Sequence, residues 1–150
     1  MTPPDDPQVP RIALSRSQQN IYNGVLQDSD PDLYLIGRRY RFRQQELPPF
    51  LAALEATILN NPVQLCVLEA PLAGAGYPDL LLRLQVGDIV RVRSDGEYQT
   101  DREDGGLIRT WDSGILATPL VRYTVRTDEH GCVSGLDVHT HHIVVDGGAH

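Results

Sequence analysis

The residues best suited to chemistry lie together at the end of the 150-residue chain. Four of its five histidines, His139, His141, His142 and His150, fall in the last twelve positions, and Asp146-Gly147 follows the branched run Ile143-Val144-Val145. An imidazole titrates near neutrality, so it can take up and return a proton at physiological pH. It does this best when a rigid element holds it and the adjoining backbone lets a substrate approach closely. Three chemistries use these residue types. One is general base catalysis by His142. A second is a metal site from Asp137, His139 and His141, which share one strand face at spacing two, although such a site wants a further strong ligand and none is evident. The third, a nucleophilic triad, would need a Gly-x-Ser-x-Gly elbow, which the chain lacks. The non-chemical reading is a pair of structural histidines at a sheet edge.

The elements that must position this cluster follow from periodicity. Val133 to His141 alternates like a strand, and Pro119 to Arg126 alternates like its hairpin partner, with the turn at 127–131. Upstream, Ser15-Arg16-Ser17-Gln18 has the form of a capping box. Ile21, Tyr22, Val25 and Leu26 then recur at helical spacing, up to a stop near Asp28-Ser29-Asp30-Pro31. Leu33 to Arg43 reads as a strand, with Tyr34, Ile36, Tyr40 and Phe42 on one face and Leu35, Arg39, Arg41 and Arg43 on a solvated one. A second helix opens at Pro48-Pro49, buries Leu47, Leu51, Leu54 and Ile58, and ends at Asn60-Asn61-Pro62. Val63 to Leu68 reads as a short buried strand. Leu80–Leu84 and Ile89–Arg93 read as two strands joined by a turn at Val86-Gly87-Asp88. Residues 1–10, with four prolines, are expected to form a draped lead-in, and the acidic stretch from Ser94 to Gly106 an exposed segment. Trp111 is expected in the core or at a lobe boundary.

Composition narrows the function classes. The chain is 41% hydrophobic and 22% charged, as expected of a soluble domain, and its net charge is −7. That charge argues against a nucleic-acid surface, which requires clustered positive charge. No apolar run reaches the roughly 20 residues that span a bilayer, and the first residues lack the basic and apolar regions of a signal peptide. A cytoplasmic protein without nucleic-acid or membrane partners is the expectation. All 13 basic residues are arginine. Cys66 and Cys132 stand far apart with no metal-binding spacing and are read as reduced core residues.

The run His141-His142-x-x-x-Asp146-Gly147 resembles the signature of nonribosomal peptide synthetase condensation domains and of relatives sharing the chloramphenicol acetyltransferase-like fold. Two upstream segments extend the resemblance: Leu14-Ser15-x-x-Gln18 leading a helix with Tyr22, and the Pro119-Leu120-x-Arg122 strand. One motif departs from it, because Asn60-Asn61-Pro62-Val63-Gln64-Leu65 stands where the family carries Arg-His-x-x-Leu-Arg. The resemblance implies an α+β fold with a mixed or antiparallel sheet and two or more helices packed on it. Residues 11–150 would be the N-terminal lobe, with the C-terminal lobe absent and turnover by the isolated lobe not expected.

It also implies acyl transfer from a thioester on a carrier protein's phosphopantetheine to an amine on a second carrier. His142 would take a proton from the attacking amine or stabilise the zwitterionic tetrahedral species, and His141 would be a scaffold residue. Asp146 would hold the turn, and Gly147 would let the backbone approach. With the motif arginines missing, Arg122 is the candidate partner of Asp146. No intrinsic cofactor or metal is implied. The implied partners are acyl or peptidyl carrier domains, adjacent synthetase modules and the second lobe. Two alternatives are ester formation by an O-acyltransferase of the same superfamily and a non-catalytic lobe that binds a carrier or module.

Overall fold

The computed structural model describes residues 10–27, 34–71, 76–94 and 115–145. The lead-in before Pro10, most of the acidic stretch after Ser94, Trp111 and the signature's Asp146 and Gly147 lie outside the described residues. The chain runs β1 (Arg11–Ala13), α1 (Arg16–Gln27), β2 (Leu35–Gln45), α2 (Leu47–Leu59), β3 (Cys66–Glu69), β4 (Asp79–Leu82), β5 (Val90–Ser94), β6 (Val121–Thr127) and β7 (Val133–His141). The fold is α+β, built on two sheets. One is antiparallel, in the order β1-β4-β3. The other, in the order β2-β7-β6-β5, is antiparallel except where β5 runs parallel to β6.

Local sequence accounts for most of these elements. The capping box forms at α1: Gln18 N donates to Ser15 Oγ at 3.2 Å, and Ser15 N donates to Gln18 Oε1 at 3.0 Å. Ile21, Tyr22 and Val25 pack on the core as their spacing requires. Leu26 does not, being 65% exposed. The buried position of the helix goes instead to Gln18, because the inward stripe is centred nearer its N-terminus. Helix α2 carries proline in its first turn, buries Leu54 and Ile58, and packs Leu47, Phe50 and Leu51 beside them.

Three expectations are corrected. Val63 to Leu65 is not strand but part of a 3-10 turn, Pro62–Leu65, because proline fixes a helical φ and cannot donate to a ladder. β4 and β5 are not hairpin partners and lie in different sheets. Between them Val86–Ile89 forms a helical turn, capped by Gln85 and Asp88, which carries the chain from one sheet to the other. Tyr40 is 45% exposed rather than buried. α2 reaches only the far end of that strand, where Phe42 and Phe50 meet edge to face at 5.4 Å.

Two apolar clusters hold the layers together. Leu54, Ile58 and Leu65 pack against Val125, Val133 and Leu136 on one face of the larger sheet. Leu14, Cys66, Leu68, Leu80, Leu120 and Ile143 join the smaller sheet to the segment following β7. Both cysteines are free. Cys66 lies in this core, where burial raises its thiol pKa, while Cys132 is half-buried.

The opposite face of the larger sheet is polar. Register places Arg39 and Thr124 beside Asp137, and Arg41 and Arg126 beside Gly135. Gly135 matters here, because a Cβ would collide with the Arg126 guanidinium and come within 2.7 Å of the Tyr40 carbonyl oxygen that Arg126 Nη2 bonds. Gly135→Ala is expected to cost about 1–3 kcal/mol of stability, the usual penalty of overpacking. The check is the midpoint of urea unfolding followed by circular dichroism; an unchanged midpoint refutes it.

Candidate active site at the end of β7

β7 delivers the histidines. Its central position between β2 and β6 fixes the backbone on both sides, and the His141 amide donates to the Leu120 carbonyl at 2.7 Å. The His141 side chain is buried, at 3% exposure. Its Nδ1 accepts a hydrogen bond from the Ile143 amide at 3.1 Å, so the proton of the neutral ring sits on Nε2. The Tyr34 ring stacks on it with centroids 6.1 Å apart and planes 9° from parallel. Burial, and after it the neighbouring His142 charge, push the His141 pKa down from 6.5 to about 4. His141 is therefore neutral at physiological pH.

His142 opens a helical turn, His142–Val145. Its ring is half-buried, with Nδ1 closed off from solvent. His141 and His142 thus differ sharply: one is enclosed by packing, the other stands at the exit of the strand. Asp146 and Gly147 lie outside the described residues, and so does the expected contact between Asp146 and Arg122.

The other residues of the cluster are engaged as follows. The Asp137 carboxylate is 3% exposed and clasped by Arg39, with Nε at 3.0 Å from Oδ1 and Nη2 at 3.3 Å from Oδ2. Arg126 Nε lies 3.4 Å from the same Oδ1. Two guanidiniums on one carboxylate repel a further cation, which removes Asp137 as a metal ligand. Among the described residues no group of three or more His, Cys, Asp or Glu is placed to hold a metal ion. Arg39 is therefore part of a buried-carboxylate pair rather than only a solvated face, while Arg38, Arg41 and Arg43 are exposed. His139 is buried on the same face, with its ring over Gly37.

Arg122 pairs in register with His139. Its Nε is buried without a hydrogen-bond partner among the described residues. Burial, and then the charge of Arg91, hold its pKa below the usual arginine range. At the position of the missing motif arginine, Leu65 is buried in the core, so that segment offers no cation.

For one site residue the sequence shows a cap and a motif position but not its long-range contact. Gln18 Nε2 donates to the Ile143 carbonyl at 2.8 Å, linking α1 to the turn that carries His142. A polar side chain in the middle of an apolar helical stripe was the available signal.

No family model matches the chain. Over 149 residues, 99% of its length, it is 62% identical to an isonitrile lipopeptide synthase of Mycobacterium marinum (strain ATCC BAA-535 / M), of which it covers 10%. Over 139 residues, 93% of its length, it is 63% identical to an isonitrile lipopeptide synthase of Mycobacterium tuberculosis (strain ATCC 25618 / H37Rv), of which it covers 5%. The chain thus spans a tenth or less of the curated relatives it matches. Among solved structures, it aligns with the starter condensation domain of rhizomide synthetase RzmA at a TM-score of 0.62 and 19% identity, covering 92% of this chain and 34% of that one. By sequence the chain is a homologue of one part of the isonitrile lipopeptide synthases, and its fold is that of about a third of a nonribosomal peptide synthetase condensation domain.

Proposed function

We propose that residues 11–150 form the donor-side half of a site that joins a carrier-bound acyl or peptidyl thioester to an acceptor amine. The observation that carries this reading is the placement of His142 at the end of β7, directly after a neutral, fully packed His141. His142 takes the proton of the attacking amine as the C–N bond forms, and the thiolate of the phosphopantetheine arm leaves and recovers a proton. The leaving group is good, so the base has modest work: about 10²–10⁴-fold, with orientation of the two arms adding more. His141 acts as scaffold, and Asp146 holds the turn. Gly147 leaves the backbone clear for substrate.

Arg122 is the proposed counter-charge of Asp146. Its buried Nε calls for an anion, since an uncompensated buried charge is costly. The working protein would be cytoplasmic and would include a second lobe, carrier domains and neighbouring synthetase modules, with no cofactor of its own. Among the described residues no helix is long and apolar enough to cross a membrane.

The test is intact-mass analysis of carriers incubated with the synthase that contains this chain. An acceptor carrier loaded with an aminoacyl group should gain the mass of the donor acyl group, and the product released from its thioester should keep that acyl group in mild base, as an amide does. A base-labile product on a hydroxy acceptor alone would assign the site to O-acyl transfer. Carrier binding with no transfer to either acceptor would leave a docking lobe. The 150-residue chain by itself is expected to give no product, because the acceptor side belongs to the second lobe.

A further inference from the structure

We infer that helix α1 is a positioning device for His142, acting through Gln18 on the turn and through Gly24 and Tyr34 on His141; the inference rests on the proposed role of His142. Gln18 is 4% exposed, so both ends of its amide must be satisfied inside the protein. Oε1 accepts from Ser15 N, which completes the cap. Nε2 is turned the other way and donates to the carbonyl of Ile143, 125 residues distant in sequence.

That carbonyl belongs to the residue immediately after His142, whose own amide is held by His141 Nδ1. The peptide groups on both sides of Ile143 are therefore pinned, one by His141 and the other by α1, and its side chain is fully buried. The backbone that carries His142 cannot shift on its Ile143 side without breaking one of these bonds. Further along the same helix, a Cβ at Gly24 would collide with the Tyr34 hydroxyl and lie 3.1 Å from its Cζ. The missing side chain lets the Tyr34 ring lie where it stacks on His141. One helix thus acts on the histidine segment directly through Gln18 and indirectly through Tyr34, although a cap alone would require only Oε1.

The experiment separates positioning from capping in the full-length synthase. Gln18→Glu keeps an acceptor for Ser15 N and replaces the donor to Ile143 with an oxygen. We expect kcat to fall about 10–100-fold, the scale of a misplaced catalytic group, with KM for both carriers within threefold. The deficit should narrow as pH falls and the new carboxyl regains a proton to donate. Ser15→Ala, which weakens only the cap, should lower the melting temperature and leave kcat within twofold. Equal losses of kcat in the two variants, or Gln18→Glu within twofold of the parent, would overturn the inference.

A second readout does not depend on catalysis. Hydrogen exchange of the segment spanning residues 141–145 should speed up at least tenfold in Gln18→Glu while β6 stays protected. Unchanged exchange sinks the inference, whereas full activity of His142→Ala sinks the proposed function and leaves the exchange result standing. If Gln18→Glu does not fold, Gln18→Met, similar in volume and without a donor, is read by the same two measurements.

Discussion

Replacing His142 with alanine in the synthase that carries this chain is expected to lower kcat for acyl transfer by about 10²–10⁴-fold. The position of the side chain argues for an effect on rate rather than on folding. His142 is half-buried at the start of a helical turn, while its neighbours Ile143 and Val144 carry the packing. A truncation of this kind shifts stability by no more than about 0.5–1 kcal/mol. On the proposed reaction, the residual rate would come from holding the two carrier arms in line, which the exchange does not touch. Single-turnover transfer between loaded carriers, measured beside carrier affinity, checks both halves of the expectation. Product formation at the parental rate would show that His142 is not the base.

Acidification from pH 7 to pH 4 is expected to destabilise the fold by roughly 3 kcal/mol through His141 alone, since each unit of pKa difference is worth about 1.4 kcal/mol. The direction follows from which state binds the proton. In the folded protein His141 is enclosed and its pKa is about 4, against 6.5 when exposed. Above pH 6.5 both states hold a neutral ring and nothing is lost. Between 6.5 and 4 the unfolded chain takes up a proton that the native state refuses, so stability declines with falling pH and levels off below 4.

His141→Asn offers an oxygen near the place of Nδ1 for the Ile143 amide and cannot titrate. Urea midpoints for parent and variant across pH 7 to 4 isolate this contribution from that of the other titrating groups, which both proteins share. Parallel curves would refute the assignment of the acid loss to His141. His142→Ala, by removing one of the two causes of the depressed pKa, should raise the folded pKa of His141, so that the acid loss becomes slightly smaller and levels off at a slightly higher pH.

The primary structure determined the elements whose cause is local. The Ser15–Gln18 box fixed where α1 begins, two prolines fixed the start of α2, and strict alternation fixed the β6–β7 hairpin. The histidines at the exit of β7 followed from the same alternation. What it could not determine depends on partners distant in the chain. Whether β4 pairs with β5 was settled by a helical turn that moves the chain between sheets, which alternation on either side cannot reveal.

Asp137 and His139 look like metal ligands in one dimension. Only the register of β2 and β6 brings two arginines onto the carboxylate and makes that face cationic. Burial likewise decided between the two adjacent histidines, because desolvation is a property of the assembled core: His141 is neutral and packed, and His142 is left at the edge. Gln18 shows the division within a single side chain. Its Oε1 serves a cap that four consecutive residues define, while its Nε2 serves a carbonyl that only the tertiary fold brings within reach.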